Sequence, residues 1–382
     1  MLFKDITIID ENFQVKEHRY VGVKGDRIAC ISDTLPKEDY GEVYDGHNKL
    51  MIPAFYNMHS HLYMALMRGY GENLPLSTWL QDRIFPFEAH LTEEDMYWGT
   101  LLGTAEMLRY GIGSTQDMNL KQRAAARALT DSGVKSVVSQ CLFCWDDSDY
   151  FKLPVYQQTL DTIREFSGAD NGRIRVEFSL HAEYTSNEKF ACAMAEAAAK
   201  HGSTMHVHVA ETGDEVKQCR ERYGGRSPVR YLADCGLFDV PTVAAHCVYI
   251  DDEDITILKA HGVTVGTCPK SNAKLSSGIC PVTKLLDAGI RLTVNTDNRS
   301  VSATDIRREF AILTETFRLT RDEVKTLLLN AAEASFAPEA LKNELMAQID
   351  RDAENFYPLS KCYGLPAATD EEKIDGFGYI ME

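Results

Sequence analysis

From about residue 50 onward, short β-rich runs alternate with longer helical stretches. This alternation constrains the fold most, because parallel strands can be joined only through long crossovers, usually helices. The clearest strand-like runs are Val134–Ser139, Arg173–Leu180, Thr204–Val209, Val243–Val248, Val263–Thr267 and Ile290–Asn295, and two earlier ones end near His59 and near Asp117. Helix-like stretches lie between them at Tyr97–Arg109, Ala191–Lys200, Glu215–Arg222 and Asp254–Ala260. Several open on a capping residue or an acidic first turn, as in Thr92-Glu93-Glu94-Asp95. The acid run Asp251–Asp254 reads as a solvated helix start. Eight strands at a mean spacing of roughly thirty-four residues predict a (β/α)8 TIM barrel over residues 53–340. A doubly wound sheet would want a glycine-rich phosphate turn after an early strand, and the sequence has none.

Ahead of the barrel, Phe3–Ile9, Tyr20–Lys24 and Arg27–Ser32 read as short strands, with Gly25-Asp26 as a hairpin turn. Residues 1–52 are therefore expected to form a small N-terminal β-sheet appendage. Three short strands bury too little to stand alone. The C-terminal extension, residues 341–382, is expected to complete the appendage with a return strand at Phe377-Gly378-Tyr379-Ile380-Met381.

The formal net charge of −17 repels phosphate backbones and anionic lipid, so neither nucleic acid nor a membrane surface is an expected partner. A small molecule is, and a homo-oligomer is the expected assembly. No apolar run reaches the length of a membrane helix. Met1-Leu2-Phe3-Lys4-Asp5 lacks the basic and apolar pattern of a secretory leader, so a cytoplasmic location is expected. Of the ten cysteines, only Cys141 and Cys144 stand at C-x-x-C spacing, and no second pair completes a zinc ribbon; reduced, buried thiols are the reading.

Barrel chemistry belongs at the C-terminal ends of strands. His59-Ser60-His61 ends the first strand, and alternate residues share a face, so two imidazoles converge there. His206 and His208 share a face at the end of the fifth strand, and one of them can complete a set of three histidines. Glu211 lies just past that strand, in reach of a bound substrate or, on the bland reading, solvated. His246 ends the sixth strand and Asp297 the eighth, where a buried carboxylate is costly unless paired or ligated. Four strand ends thus aim ligand-type groups at one mouth. Three nitrogens and a carboxylate predict one divalent metal, Zn2+ before Fe2+ or Mn2+, with room for a water.

With these residues placed, the chain resembles the metal-dependent amidohydrolase superfamily, and within it the branch of S-adenosylhomocysteine and 5′-methylthioadenosine deaminases. The resemblance runs from about residue 1 to 297. It is carried by Pro53-Ala54-Phe55-Tyr56-Asn57-Met58-His59-Ser60-His61, by Leu74-Pro75-Leu76-Ser77-Thr78-Trp79-Leu80, by Ile84-Phe85-Pro86-Phe87-Glu88, by His208–Thr212, by Ala245-His246-Cys247-Val248 and by Cys268–Leu275. It implies that His59, His61, His208 and Asp297 ligate the metal, with His206 facing the barrel without ligating. It further implies that Glu211 and His246 are catalytic, that His181 contacts substrate and that Glu88 holds ribose hydroxyls. Trp79 is expected beside Glu88 over the barrel mouth. The sequence departs from the branch at Asn298-Arg299-Ser300, which resembles true adenosine deaminases, at Thr267, where a histidine is common, and at Gln140, where an arginine is common.

The expected reaction is hydrolytic deamination of adenosine, 5′-deoxyadenosine or 5′-methylthioadenosine to the inosine analogue and ammonia. Asp297 would accept the proton of the water, Glu211 would protonate the ring nitrogen, and His246 would stabilise the developing charge. The alternatives are an aminohydrolase of guanine, a pterin or a triazine, and a catalytically silent nucleoside-binding barrel.

Overall fold

The computed structural model describes residues 1–9 and 15–335. They fall into two compact units, Met1–Pro53 and a second that begins at Ala54. The expected return strand near Tyr379 lies outside the described residues.

In the first unit, β1 (Leu2–Ile9) pairs antiparallel with β2 (Val15–Lys24), which pairs antiparallel with β3 (Arg27–Ser32). Lys24 opposes Arg27 across the expected turn, where Gly25 takes a left-handed φ of 58°. β4 (Val43–Asp45) and β5 (Leu50–Met51) add to the other edge of β1 in parallel. Ile6, Ile8 and Val21 form the buried cluster, the first two a strand repeat apart on one face of β1.

The second unit is a parallel sheet of eight strands in sequence order: β6 (Phe55–Ser60), β7 (Ile112–Asn119), β8 (Lys135–Gln140), β9 (Ile174–Ser179), β10 (Met205–Val209), β11 (Thr242–His246), β12 (Thr264–Thr267) and β13 (Arg291–Val294). This is the expected barrel. Strands β10, β11 and β12 are buried at every position, because one side of a barrel strand faces helices and the other the packed interior.

The seam between β13 and β6 is closed largely by side chains. Asn295 Oδ1 accepts Met58 N at 2.6 Å, and Asn57 Oδ1 accepts Thr296 N at 2.9 Å. A parallel bridge then joins Ser60 to Asp297. The expectation that Asp297 ends the eighth strand needs adjusting, since the strand stops at Val294 and Asp297 is held by this bridge.

The helix starts read at Thr92 and Asp251 are present, and Thr212 and Thr320 cap two further helices; each of the four forms a reciprocal capping box with the residue three positions on. The Asp251–Asp254 run does start a helix, Asp252–Ala260, but Asp254 is buried rather than solvated and accepts the Ser227 hydroxyl. No helix among the described residues is long and apolar enough to cross a membrane. All nine cysteines among them are free.

Candidate active site

The residues singled out at strand ends meet around one point. One donor atom from each of His59, His61 and His208 lies within 4.8 Å of the others, and the same holds for His59, His246 and Asp297. Asp297 Oδ1 stands 3.5 Å from His59 Nε2 and 3.4 Å from His61 Nε2.

Hydrogen bonds on the far side of each ring decide which nitrogen faces that point. His61 Nδ1 lies 2.8 Å from the Met118 carbonyl, and His208 Nδ1 lies 2.8 Å from the His181 carbonyl. A carbonyl only accepts, so both Nδ1 atoms carry the proton and both Nε2 atoms present lone pairs. Those two Nε2 atoms are 3.2 Å apart. Lone pairs at that distance repel unless a cation lies between them. His59 Nε2, fully buried, has no hydrogen-bond partner among the described residues. Burial holds His59 and His208 well below the ordinary imidazole pKa, which keeps them neutral. Against the upward push of burial, the imidazoles of His59, His61 and His246, among which Asp297 lies, hold its carboxyl well below the usual carboxylate range. Neutral imidazoles around an ionised carboxylate are what a divalent metal requires of its ligands.

The backbone is bent to bring these groups in. Ala210, His246 and Asp297 take left-handed φ values of 49°, 73° and 51° without being glycine. Each such residue costs about 1–3 kcal/mol, and such residues cluster at functional sites.

Glu211 is buried, not solvated. Burial raises its pKa, against the charge of His246. Its Oε2 is 3.6 Å from His246 Nε2, and its Oε1 accepts the Ser277 hydroxyl at 3.1 Å. His246 Nδ1 donates to Asn272 Oδ1 at 2.8 Å, so Nε2 is the nitrogen turned to Glu211.

A pocket open to solvent sits over this cluster. Glu88, His181 and Trp79 all line it. Trp79 is also buried in an apolar cluster with Tyr63, Leu76, Leu80 and Ile84, so it packs as well as lines. It lies on a helical segment that runs from Leu76 to Glu88, with a π turn at Leu80–Ile84 just before Pro86, which has no N–H for a regular turn. Glu88 Oε1 accepts the Tyr63 hydroxyl at 2.5 Å, which leaves Oε2 for a ligand. Burial raises Glu88 to about 7, opposed by the Tyr63 bond. His181 Nδ1 bonds the Thr185 hydroxyl at 2.9 Å, and burial lowers the ring to about 3, so it is neutral.

Sequence reasoning missed the residues that hold these groups in place. Ser271 donates to Asp297 Oδ2 at 2.5 Å and Asn298 Nδ2 to the same oxygen at 3.1 Å, leaving Oδ1 for the cluster. Ser271 and Asn272 lie in the segment Cys268–Leu275 that carried the resemblance, and that was the available signal. Asp117 Oδ1 accepts Leu62 N at 2.7 Å and fixes the chain just after His61. Glu215 accepts backbone N–H groups on either side of Glu211.

The parallel eight-stranded barrel thus gathers at its strand ends a histidine–aspartate cluster of the kind that can hold a divalent metal. Comparison with known proteins agrees. The chain belongs to the amidohydrolase family, whose profile matches residues 50–337. It is 40% identical over 257 residues to a 5-methylthioadenosine/S-adenosylhomocysteine deaminase of Pelotomaculum thermopropionicum, covering 67% of this chain and 58% of that protein. It is 32% identical over 385 residues to the protein of that name from Carboxydothermus hydrogenoformans, covering 96% of this chain and 88% of that one. Its structure resembles that of an adenosine deaminase from Xanthomonas campestris with bound zinc, at TM-score 0.72 and 26% identity, over 87% of this chain and 79% of that one.

Proposed function

We propose that the protein is a zinc-dependent hydrolytic deaminase of adenosine-type nucleosides, yielding the inosine analogue and ammonia. The observation that carries this reading is the buried Glu211 beside the histidine–aspartate cluster, at the floor of one cavity. A protein that only bound a nucleoside would need no such group.

His59, His61, His208 and Asp297 would hold the ion. A bound divalent ion supplies Lewis acidity and brings the pKa of water from 15.7 to about 7. Asp297 Oδ1 accepts the proton of the attacking water, with Ser271 and Asn298 holding Oδ2 away from it. Glu211, its pKa raised by burial, holds a proton for the ring nitrogen next to the amino-bearing carbon. His246 Nε2 hydrogen-bonds the incoming oxygen and steadies the developing charge. Water adds, the new hydroxyl returns its proton to Glu211 as the carbonyl forms, the carbon–nitrogen bond breaks, and the amino group leaves as ammonia with the proton that Asp297 took from the water, while the proton Glu211 first gave stays on the ring nitrogen.

Glu88 Oε2 is the acceptor for the ribose diol, His181 faces the base, and Trp79 walls the pocket. The cavity lining includes no lysine or arginine among the described residues, but it does include Glu88, Glu211 and Asp297. A substrate carrying a distant carboxylate or phosphate gains nothing there. Gln140, at the end of β8, adds no charge. Adenosine and small, uncharged 5′-variants are therefore favoured over S-adenosylhomocysteine. A cytoplasmic homo-oligomer remains the proposed setting.

The test is ammonia release from adenosine, 5′-deoxyadenosine, methylthioadenosine, S-adenosylhomocysteine, adenine, guanine and cytosine, with metal analysis of the same preparation. Turnover of uncharged adenine nucleosides is expected. Turnover of guanine or cytosine alone would transfer the reading to another heterocycle, and ammonia from none of them would end the deaminase reading.

A further inference from the structure

Beneath the histidine–aspartate cluster, the barrel interior holds polar groups that the proposed reaction does not use. His206 shares the inner face of β10 with His208, yet its Nε2 lies 2.9 Å from His59 Nδ1, on the side of that ring away from the cluster. The other nitrogen of His206, Nδ1, lies 3.6 Å from Glu177 Oε1 and has no hydrogen-bond partner among the described residues. Glu177, on β9, is 1% exposed. Gln116 Nε2 donates to its Oε1 at 2.6 Å, and the Thr204 hydroxyl to its Oε2 at 2.6 Å. Burying a carboxylate costs far more than burying an amide of the same shape, and an amide oxygen would receive Gln116 equally well.

Counting protons along this line assigns the carboxylate a role. His59 can offer a lone pair at Nε2 only if its proton is on Nδ1. That proton must then be donated to His206 Nε2, which has to be bare. The His206 proton is thereby placed on Nδ1, aimed at Glu177. In the inverse arrangement His206 Nε2 donates to a bare His59 Nδ1, and the His59 proton moves to Nε2, where it blocks ligation. An acceptor at the far end selects the first arrangement.

We propose that Glu177 and His206 form a positioning relay behind His59, in which Glu177 holds the His206 proton on Nδ1, His206 receives the His59 proton, and His59 Nε2 is kept bare for the metal. Neither residue touches substrate. The relay rests on His59 being a ligand, as argued above, but not on the identity of the substrate.

The test is the zinc affinity of the full chain, measured by competition with a chromophoric chelator, together with the melting temperature of the metal-free protein. Glu177→Gln keeps the shape but can offer an N–H to His206 Nδ1, which favours the inverse arrangement. Zinc affinity should fall about 10–100-fold, the scale for groups that orient a ligand. His206→Gln puts an amide oxygen where Nε2 stands and has no tautomer to choose, so it should keep most of the affinity. Adding Glu177→Gln to it should then cost nothing more. Wild-type affinity in Glu177→Gln, or an equal loss in the His206→Gln background, overturns the relay and leaves Glu177 a packing residue. If Glu177→Gln does not fold, nitrogen-15 spectra of histidine-labelled, zinc-loaded wild-type protein decide the matter. A protonated Nδ1 and bare Nε2 on His206 support the relay, and the reverse overturns it. Loss of ammonia release with these results intact would count against the deaminase reading alone.

Discussion

The Glu215 carboxylate accepts the backbone N–H of Ala210 and that of Glu211, each at 2.7 Å. Glu215 thus fixes the turn on which Glu211 stands, and it also closes the capping box with Thr212. Burial, with the charges of Glu183 and Glu211, raises Glu215 to about 8, while these backbone bonds pull it down. Replacing Glu215 by Gln leaves one carbonyl oxygen where two carboxylate oxygens accepted. A buried N–H left without a partner costs about 1–3 kcal/mol. Glu215→Gln should therefore lower the melting temperature and reduce kcat by about tenfold through misplacement of Glu211. Metal content should not change, and an unaltered kcat would show that the turn holds itself.

For Glu211→Gln, the shape and the Ser277 contact survive but the proton does not. Turnover should fall at least about 10²-fold, the lower end for general acid–base catalysis. Zinc measured by atomic absorption should stay at wild-type level. If zinc is lost with the activity, Glu211 is a ligand instead.

Asp297→Ala would remove the proposed ligand and proton acceptor, and it strands the Ser271 hydroxyl. Activity should be absent even with excess zinc. Dialysis of the wild-type protein against a chelator should also abolish turnover, and zinc alone should restore it. Near-normal rates in Asp297→Ala would sink the mechanism.

Glu88 sits at about 7, so its charge changes within the working pH range. On the proposed reading, above that value the free Oε2 of the carboxylate would accept from a ribose hydroxyl; below it the protonated group would accept less well. KM for adenosine should fall as pH rises from 6 to 8, while KM for a 2′,3′-dideoxy analogue stays flat over the same change. Tyr63→Phe removes the bond that lowers Glu88, so it should move the adenosine profile to higher pH. A dideoxy profile that bends with the adenosine one would separate Glu88 from the diol.

Glu88→Ala should cost about 1.5–3 kcal/mol in kcat/KM for adenosine, the scale of a charge-assisted hydrogen bond. It should leave the dideoxy compound nearly untouched. Equal losses for both compounds would mean that Glu88 shapes the wall without holding ribose.

What the sequence determined by itself was everything with a local period. Strand alternation put His59 with His61, and His206 with His208, on shared faces, and the helix caps were legible at Thr92 and Asp251. The order of strands and helices carried the barrel, and strand-end chemistry carried the candidate ligands. Only the tertiary structure decided how these groups are used. His59 meets His206 across 147 positions, and Asn57 meets Thr296 across 239. Such pairings depend on barrel closure, where stagger and side-chain depth set which groups touch. Depth separates His208, whose Nε2 reaches His61, from His206, whose Nε2 reaches the back of His59, although both share one face of one strand. The same closure buries Glu177 behind His59 and Ser271 against Asp297, contacts for which no local pattern exists, because proximity across a barrel is a property of the closed sheet and not of any segment in it.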